Sequence, residues 1–132
     1  MMLYENNFYI THDRSQDIEF LFVDLGSDIG WRAYILSHID YKGRDTSCST
    51  IHRLTESDDH RKHLINNFMN NTRITGVTSP LHYICWSKAV HSLEDIREVA
   101  KTWSEITAYY IKHGGSFPSI QRTLKKRGVI SF

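Results

Sequence analysis

The sequence predicts a single α+β domain over residues 1–132, with a mainly antiparallel sheet of four or five strands and a long C-terminal helix packed on one face. Three observations carry this expectation. Apolar residues recur at helical spacing from Leu93 to Ile111, two β-prone runs flank a five-residue turn at Gly26–Gly30, and no linker or internal repeat divides the chain. A chain of this length buries roughly two thirds of its extended surface without disulfide or metal staples. An apolar fraction of 40%, with 12% aromatics, excludes wholesale disorder.

Taken in order, Phe8–Thr11 is a short β-prone run ended by the polar stretch His12–Gln16. Ile18–Leu25 reads as a central strand, with Phe20 and Phe22 on one face and Leu21, Val23 and Leu25 on the other, so both faces are expected to be covered. After the glycine-bounded turn, Trp31–Ile39 alternates Trp31, Ala33, Ile35, Ser37 and Ile39 against Arg32, Tyr34, Leu36 and His38. These two runs form the best hairpin candidate. Lys42-Gly43 breaks the next region, and Thr50–Leu54 suits a further antiparallel strand.

Glu56–Asn70 carries an apolar face of Leu64, Ile65, Phe68 and Met69 that suits a helix, although a polar loop over Glu56–His63 fits its first half equally well. Thr72–Pro80 is turn-rich, and Leu81–Trp86 is a compact strand. The long helix then opens at Ser92, whose side chain forms a capping-box pattern with Asp95, and closes at Gly114 with Lys112 and His113 at its negative end. Leu93, Ile96, Val99, Ala100, Trp103, Ile106, Thr107, Tyr110 and Ile111 form its core face, while Glu94, Arg97, Glu98, Lys101 and Glu105 are expected to point away. About twenty residues give a length of roughly 30 Å, enough to cross a sheet. Pro118 permits a terminal helix with Phe117, Ile120 and Leu124 inward, ended by Gly128.

The formal charge of +1 excludes a global field that would gather polyanions. The segment after Gly115 nevertheless holds Arg122, Lys125, Lys126 and Arg127, while all 15 acids lie upstream. With Lys112 and Arg73 as extensions, these four are candidate polyanion-binding residues, nucleic acid included. Met1–Ile10 has Glu5, Asn6 and Asn7 where a secretory leader needs an apolar run, and no stretch approaches a membrane span. A reduced, cytoplasmic, soluble protein without membrane association is therefore expected. Cys48 and Cys85 lack metal-type spacing and read as thiols, Cys85 as a small buried hydrophobe.

Eight histidines invite a search for chemistry. His60 and His63 share a spacing that fits a metal, with His52 or Asp59 nearby, but the stronger zinc patterns are missing and no metal or cofactor is expected. His82 and Cys85 are three apart in a strand and so face opposite ways, which leaves His38 or His52 to approach Cys85 from a neighbouring strand. His38, His52, His82 and Cys85, or Asp24 in place of the thiol, thus define a candidate hydrolase pocket. Asp24, Asp40 and Glu56 could meet as an oxygen site for a hard cation, although Asp28 and Asp40 sit where aspartates cap turns. The Gly26–Gly30 spacing lacks the Lys-Ser/Thr of a phosphate loop.

Tyr34, Trp86 and Tyr109 fall outside the faces that the patterns force inward, and such aromatics suit protein contacts. The leading expectation is an interaction or regulatory protein acting through a protein partner or self-association, with Tyr34, Trp86 and Tyr109 as partner-binding residues. Hydrolysis at the histidine pocket and weak nucleic-acid binding are the alternatives.

Overall fold

A computed structural model describes residues 3–46, the backbone of 54–56, and residues 82–132. Five strands, β1 (Tyr4–Ile10), β2 (Asp17–Asp24), β3 (Trp31–Ile35), β4 (Leu54–Glu56) and β5 (His82–Ile84), form one sheet in the order β1-β2-β3-β5-β4, every pairing antiparallel. Two helices follow, α1 (Leu93–His113) and α2 (Phe117–Lys126). The α+β expectation holds, with the long helix laid on the sheet.

The hairpin forms where the alternation placed it, with Phe20 facing Ile35, Phe22 facing Ala33 and Asp24 facing Trp31, although β3 ends at Ile35 and does not run on to Ile39 as expected. Its turn is fixed by Gly30, which has φ +78° and an N–H donating to the Gly26 carbonyl at 2.6 Å. A Cβ at Gly30 would lie 2.2 Å from the Val90 carbonyl oxygen, where the chain passes close enough for Trp31 N–H to donate to that same oxygen at 2.7 Å. Glycine alone permits this approach.

Both faces of the central strand are covered, as its apolar residues on both sides required. On the α1 side, Ile18, Phe20, Phe22 and Ala33 pack with Ile96, Val99, Ala100 and Trp103, the Trp103 ring meeting Phe20 edge-on at 6.3 Å. On the opposite side Leu21, Val23 and Tyr34 are completely buried. This corrects the placing of Tyr34 on a contact surface: its register partners Leu21 and Tyr83 lie on the same buried face, where Tyr34 meets the Tyr83 ring at 5.7 Å.

Both ends of α1 are capped as the sequence indicated. Ser92 Oγ accepts from Asp95 N–H at 3.1 Å, and Gly114 N–H donates to the Tyr110 carbonyl at 2.8 Å with φ +71°. Arg44 adds a cap, its guanidinium donating to the carbonyls of Ile111 and Lys112 at 3.3 and 3.4 Å. α2 buries Phe117, Ile120 and Leu124 against Ile106 and Tyr110 of α1, joined by Ile130.

Three other elements differ from expectation. β1 starts at Tyr4, four residues before the apolar run, because an outermost strand is held by backbone pairing and has no need of alternation along its length. Glu56, proposed to open a helix, ends β4, while the remainder of that stretch and Thr50–Arg53 lie outside the described residues. Residues Thr102 to Ala108 are buried without interruption, so the middle of α1 is covered all round and Glu105 is taken inward.

Candidate functional site

The predicted site residues separate. His38 is exposed beyond β3, His82 is half-buried in β5, and no hydrogen bond joins either to Cys85 among the described residues. His52 lies outside the described residues, as do Cys48, Asp59, His60, His63 and Arg73. Cys85 is a free, exposed thiol rather than a buried hydrophobe, because β5 ends at Ile84. It lines a cleft of about 310 Å³ with Trp31, Arg32, Trp86 and Lys88. Asp24 and Asp40 cap their own turns, accepting from Gly26 N–H at 3.0 Å and Lys42 N–H at 2.9 Å. Among the described residues no group of three or more metal-ligating side chains converges.

The aromatics are less open than expected. Trp86 is half-buried, touches both hydrophobic clusters and lies 5.9 Å from the Phe132 ring. Tyr109 is half-buried against the α2 cluster and leans on His113 at 4.6 Å. All four basic residues of the terminal segment are exposed, but they do not act as one patch. Arg122, Lys125 and Lys126 line a shallow groove on the outer face of α2, whereas Arg127 turns toward a different cleft.

That second cleft is built around Glu105, which sequence reasoning sent to solvent. Its carboxylate is 6% exposed and accepts from the Tyr9 hydroxyl at 2.7 Å, from His12 N–H at 3.1 Å and from His12 Nδ1 at 2.9 Å. An ionised carboxylate accepts and does not donate, so His12 Nδ1 carries the proton and Nε2 faces outward. Burial, reinforced by the hydrogen bond and charge of Glu105, holds the Tyr9 phenol well above the ordinary tyrosine range. β1 supplies Tyr9, the turn after it supplies His12, and α1 supplies Glu105, so one carboxylate ties three segments together.

Beside it, Asp13 accepts from Thr11 Oγ1, from Ser15 N–H and Oγ, and from Lys112 Nζ at 2.7 Å. Burial by itself would raise its carboxyl, but the Lys112, Ser15 and Thr11 hydrogen bonds together outweigh it and hold the group below the usual carboxylate range. Arg14 closes this turn at φ +61°. The cleft, about 250 Å³, is lined at its mouth by His12, Lys112, His113 and Arg127 and floored by Ala108, Leu124 and Val129. A signal for the buried carboxylate was present: Thr102, Ser104 and Ala108 around Glu105 are small enough for a neighbouring segment to approach on that side.

A third feature is the outer edge of the sheet. Among the described residues β1 is paired on one side, and Tyr4, Phe8 and Ile10 on its face away from α1 are 46, 59 and 55% exposed. On the other face Glu5 is held by Arg97, at 2.7 Å through Nε and again through Nη2, and this ion pair lowers the Glu5 carboxyl.

Among the described residues, no helix is long and apolar enough to cross a membrane. Comparison with protein-family models, with curated proteins and with solved structures finds no match for this chain.

Proposed function

We propose that the protein works by self-association, with β1 of one copy adding to β1 of a second so that two sheets become one. The observation that supports this is the exposed apolar row of Tyr4, Phe8 and Ile10 on an outermost strand. Exposed edges are usually blocked by lysine, proline or a bulge, and β1 has none of these. Because Leu3 pairs its carbonyl with Asp24 N–H, odd-numbered residues bond toward β2 and even-numbered ones lie on the outward side, where Phe8 N–H donates to Asn7 Oδ1 at 2.8 Å, a local bond that a second strand would replace.

A two-fold axis at Asn7 matches Tyr4 with Ile10 of the second copy, apolar with apolar, and sets Phe8 against Asn6, with the two Phe8 rings on the same face. Charge does not oppose it, since the single charged side chain of β1, Glu5, is neutralised by Arg97. Tyr4, Phe8 and Ile10 together expose on the order of 300 Å² per copy, judged from side-chain areas of about 150–250 Å². One strand edge falls short of the ~800 Å² per partner of a standard interface, so a dissociation constant on the order of 10–100 μM is expected. The same reading keeps the protein in a reducing interior, in accord with the free thiol of Cys85.

Sedimentation velocity from about 1 μM to about 1 mM tests it, the range bracketing that constant. Wild type should pass from monomer to dimer and Phe8→Lys should remain monomeric. A monomeric wild type throughout would overturn the proposal.

A further inference from the structure

We infer that the cleft beside Glu105 is a binding site for a phosphoryl group, held by Arg127, His12 and His113. The inference rests on which polar groups remain available. Both acids are already occupied: Glu105 takes three donors from Tyr9 and His12, and Asp13 takes four from Thr11, Ser15 and Lys112. Glu105 is turned to the protein, and the more exposed Asp13 is paired with Lys112. The donors are not occupied in this way. The Arg127 guanidinium has no hydrogen-bonded partner among the described residues and sits 5.9 Å from the Tyr109 ring, while the bond from Nδ1 to Glu105 leaves His12 Nε2 facing outward, where the ring donates in its imidazolium form.

A helix C-terminus lies nearby, and its carbonyls would repel an anion. Here they are satisfied from within, by Arg44 on Ile111 and Lys112 and by Gly114 N–H on Tyr110. The mouth of the cleft carries the Arg127 guanidinium and two imidazoles beside the Lys112–Asp13 ion pair, around about 250 Å³, below the range of ~300 Å³ and more that drug-sized ligands need. Three donor groups from different directions suit the three oxygens of a tetrahedral phosphoryl group better than a planar carboxylate, and arginine supplies the bidentate member. The Tyr109 ring lies against His113 at 4.6 Å in a tilted contact and 5.9 Å from the Arg127 guanidinium, so one ring is neighbour to both side chains.

The test is a titration of the full chain with inorganic phosphate at low ionic strength, followed by NMR through the ring-proton shifts of His12 and His113, with phosphoserine and acetate as parallel ligands. Saturable shifts with phosphate and phosphoserine, about tenfold weaker binding of acetate, and about tenfold weakening in Arg127→Gln are expected. Lys125→Gln/Lys126→Gln, on the other groove of α2, should change affinity less than about twofold. If phosphoserine binds and inorganic phosphate does not, the occupant is an esterified phosphoryl group. Absence of saturable shifts with either, equal binding of acetate, or equal loss in both variants would overturn the inference, the last by reducing it to diffuse charge. Retained melting temperature in Arg127→Gln separates lost binding from lost folding, since that side chain is exposed.

Discussion

Replacing Glu105 by Gln isolates the buried carboxylate that joins β1, the following turn and α1. The wild-type group accepts from Tyr9 Oη at 2.7 Å, His12 Nδ1 at 2.9 Å and His12 N–H at 3.1 Å while 6% exposed. Hydrogen bonds to a charged group contribute about 1.5–3 kcal/mol, against about 0.5–1.5 for neutral pairs, so the amide loses about 1 kcal/mol for each donor. The His12 side chain is 56% exposed and water can replace part of its bond, which brings the expected loss to about 2 kcal/mol. For a domain of this size that corresponds to roughly 8 °C in melting temperature.

Urea unfolding of wild type, Glu105→Gln, Tyr9→Phe and the double variant gives both the loss and the coupling. A Tyr9–Glu105 coupling of about 1 kcal/mol is expected from a direct charged hydrogen bond. A loss below about 0.5 kcal/mol, or strict additivity of the two changes, would refute the reasoning, because a buried acceptor with three donors does not lose its charge without cost.

Three further outcomes follow from the packing and titration behaviour. Gly30→Ala should lose about 2–4 kcal/mol in urea unfolding, because a Cβ would meet the Val90 carbonyl oxygen at 2.2 Å in a backbone with φ +78°; a neutral change would contradict the close approach. Trp103→Ala, at a site with no exposure between α1 and the sheet, should lose about 3–5 kcal/mol, and wild-type stability would remove Trp103 from the core. Tyr9, raised by burial and by Glu105, and Tyr41, pushed up to about 12 by burial, keep their protons in the folded state after the unfolded chain has lost them. Their contribution is complete below the ordinary tyrosine value of about 10 and is lost as pH rises through the folded values, at up to about 1.4 kcal/mol per pH unit for each group. Tyr9→Phe and Tyr41→Phe should each flatten this alkaline decline in a pH series of unfolding curves; unchanged slopes would show that neither phenol is involved.

The elements that the sequence marked clearly are those in which one periodicity acts over many residues. α1 combined an apolar stripe with Ser92 and Gly114 at its ends, and β2 and β3 combined alternation with a glycine turn, so local and tertiary preferences agreed. β1 was half legible because Glu5, Asn6 and Asn7 break alternation on a strand that, among the described residues, pairs with β2 alone. Tyr34 was misplaced by assuming that the second face of a strand is the open one, when Leu21 and Val23 beside it already required cover. The cleft was missed because His12, Glu105 and Arg127 lie 93 and 22 positions apart along the chain, and no spacing rule connects a turn, a helix centre and a helix end. The sequence did mark Arg127 as part of a basic cluster, and the fold then divided that cluster between two faces of α2.

The claim that two copies pair through β1 is tested most directly by its register. With Cys48 and Cys85 replaced by serine, Asn7→Cys places one thiol on the two-fold axis, where opposed residues of a non-hydrogen-bonded antiparallel pair have Cα atoms about 4.5 Å apart, within disulfide range. Mild oxidation should then yield a covalent dimer of Asn7→Cys, with Asn6→Cys, offset to a diagonal of about 7–8 Å, cross-linking far less. Equal cross-linking at both positions, or none at Asn7→Cys at concentrations near 1 mM, well above the expected dissociation constant, would contradict the account.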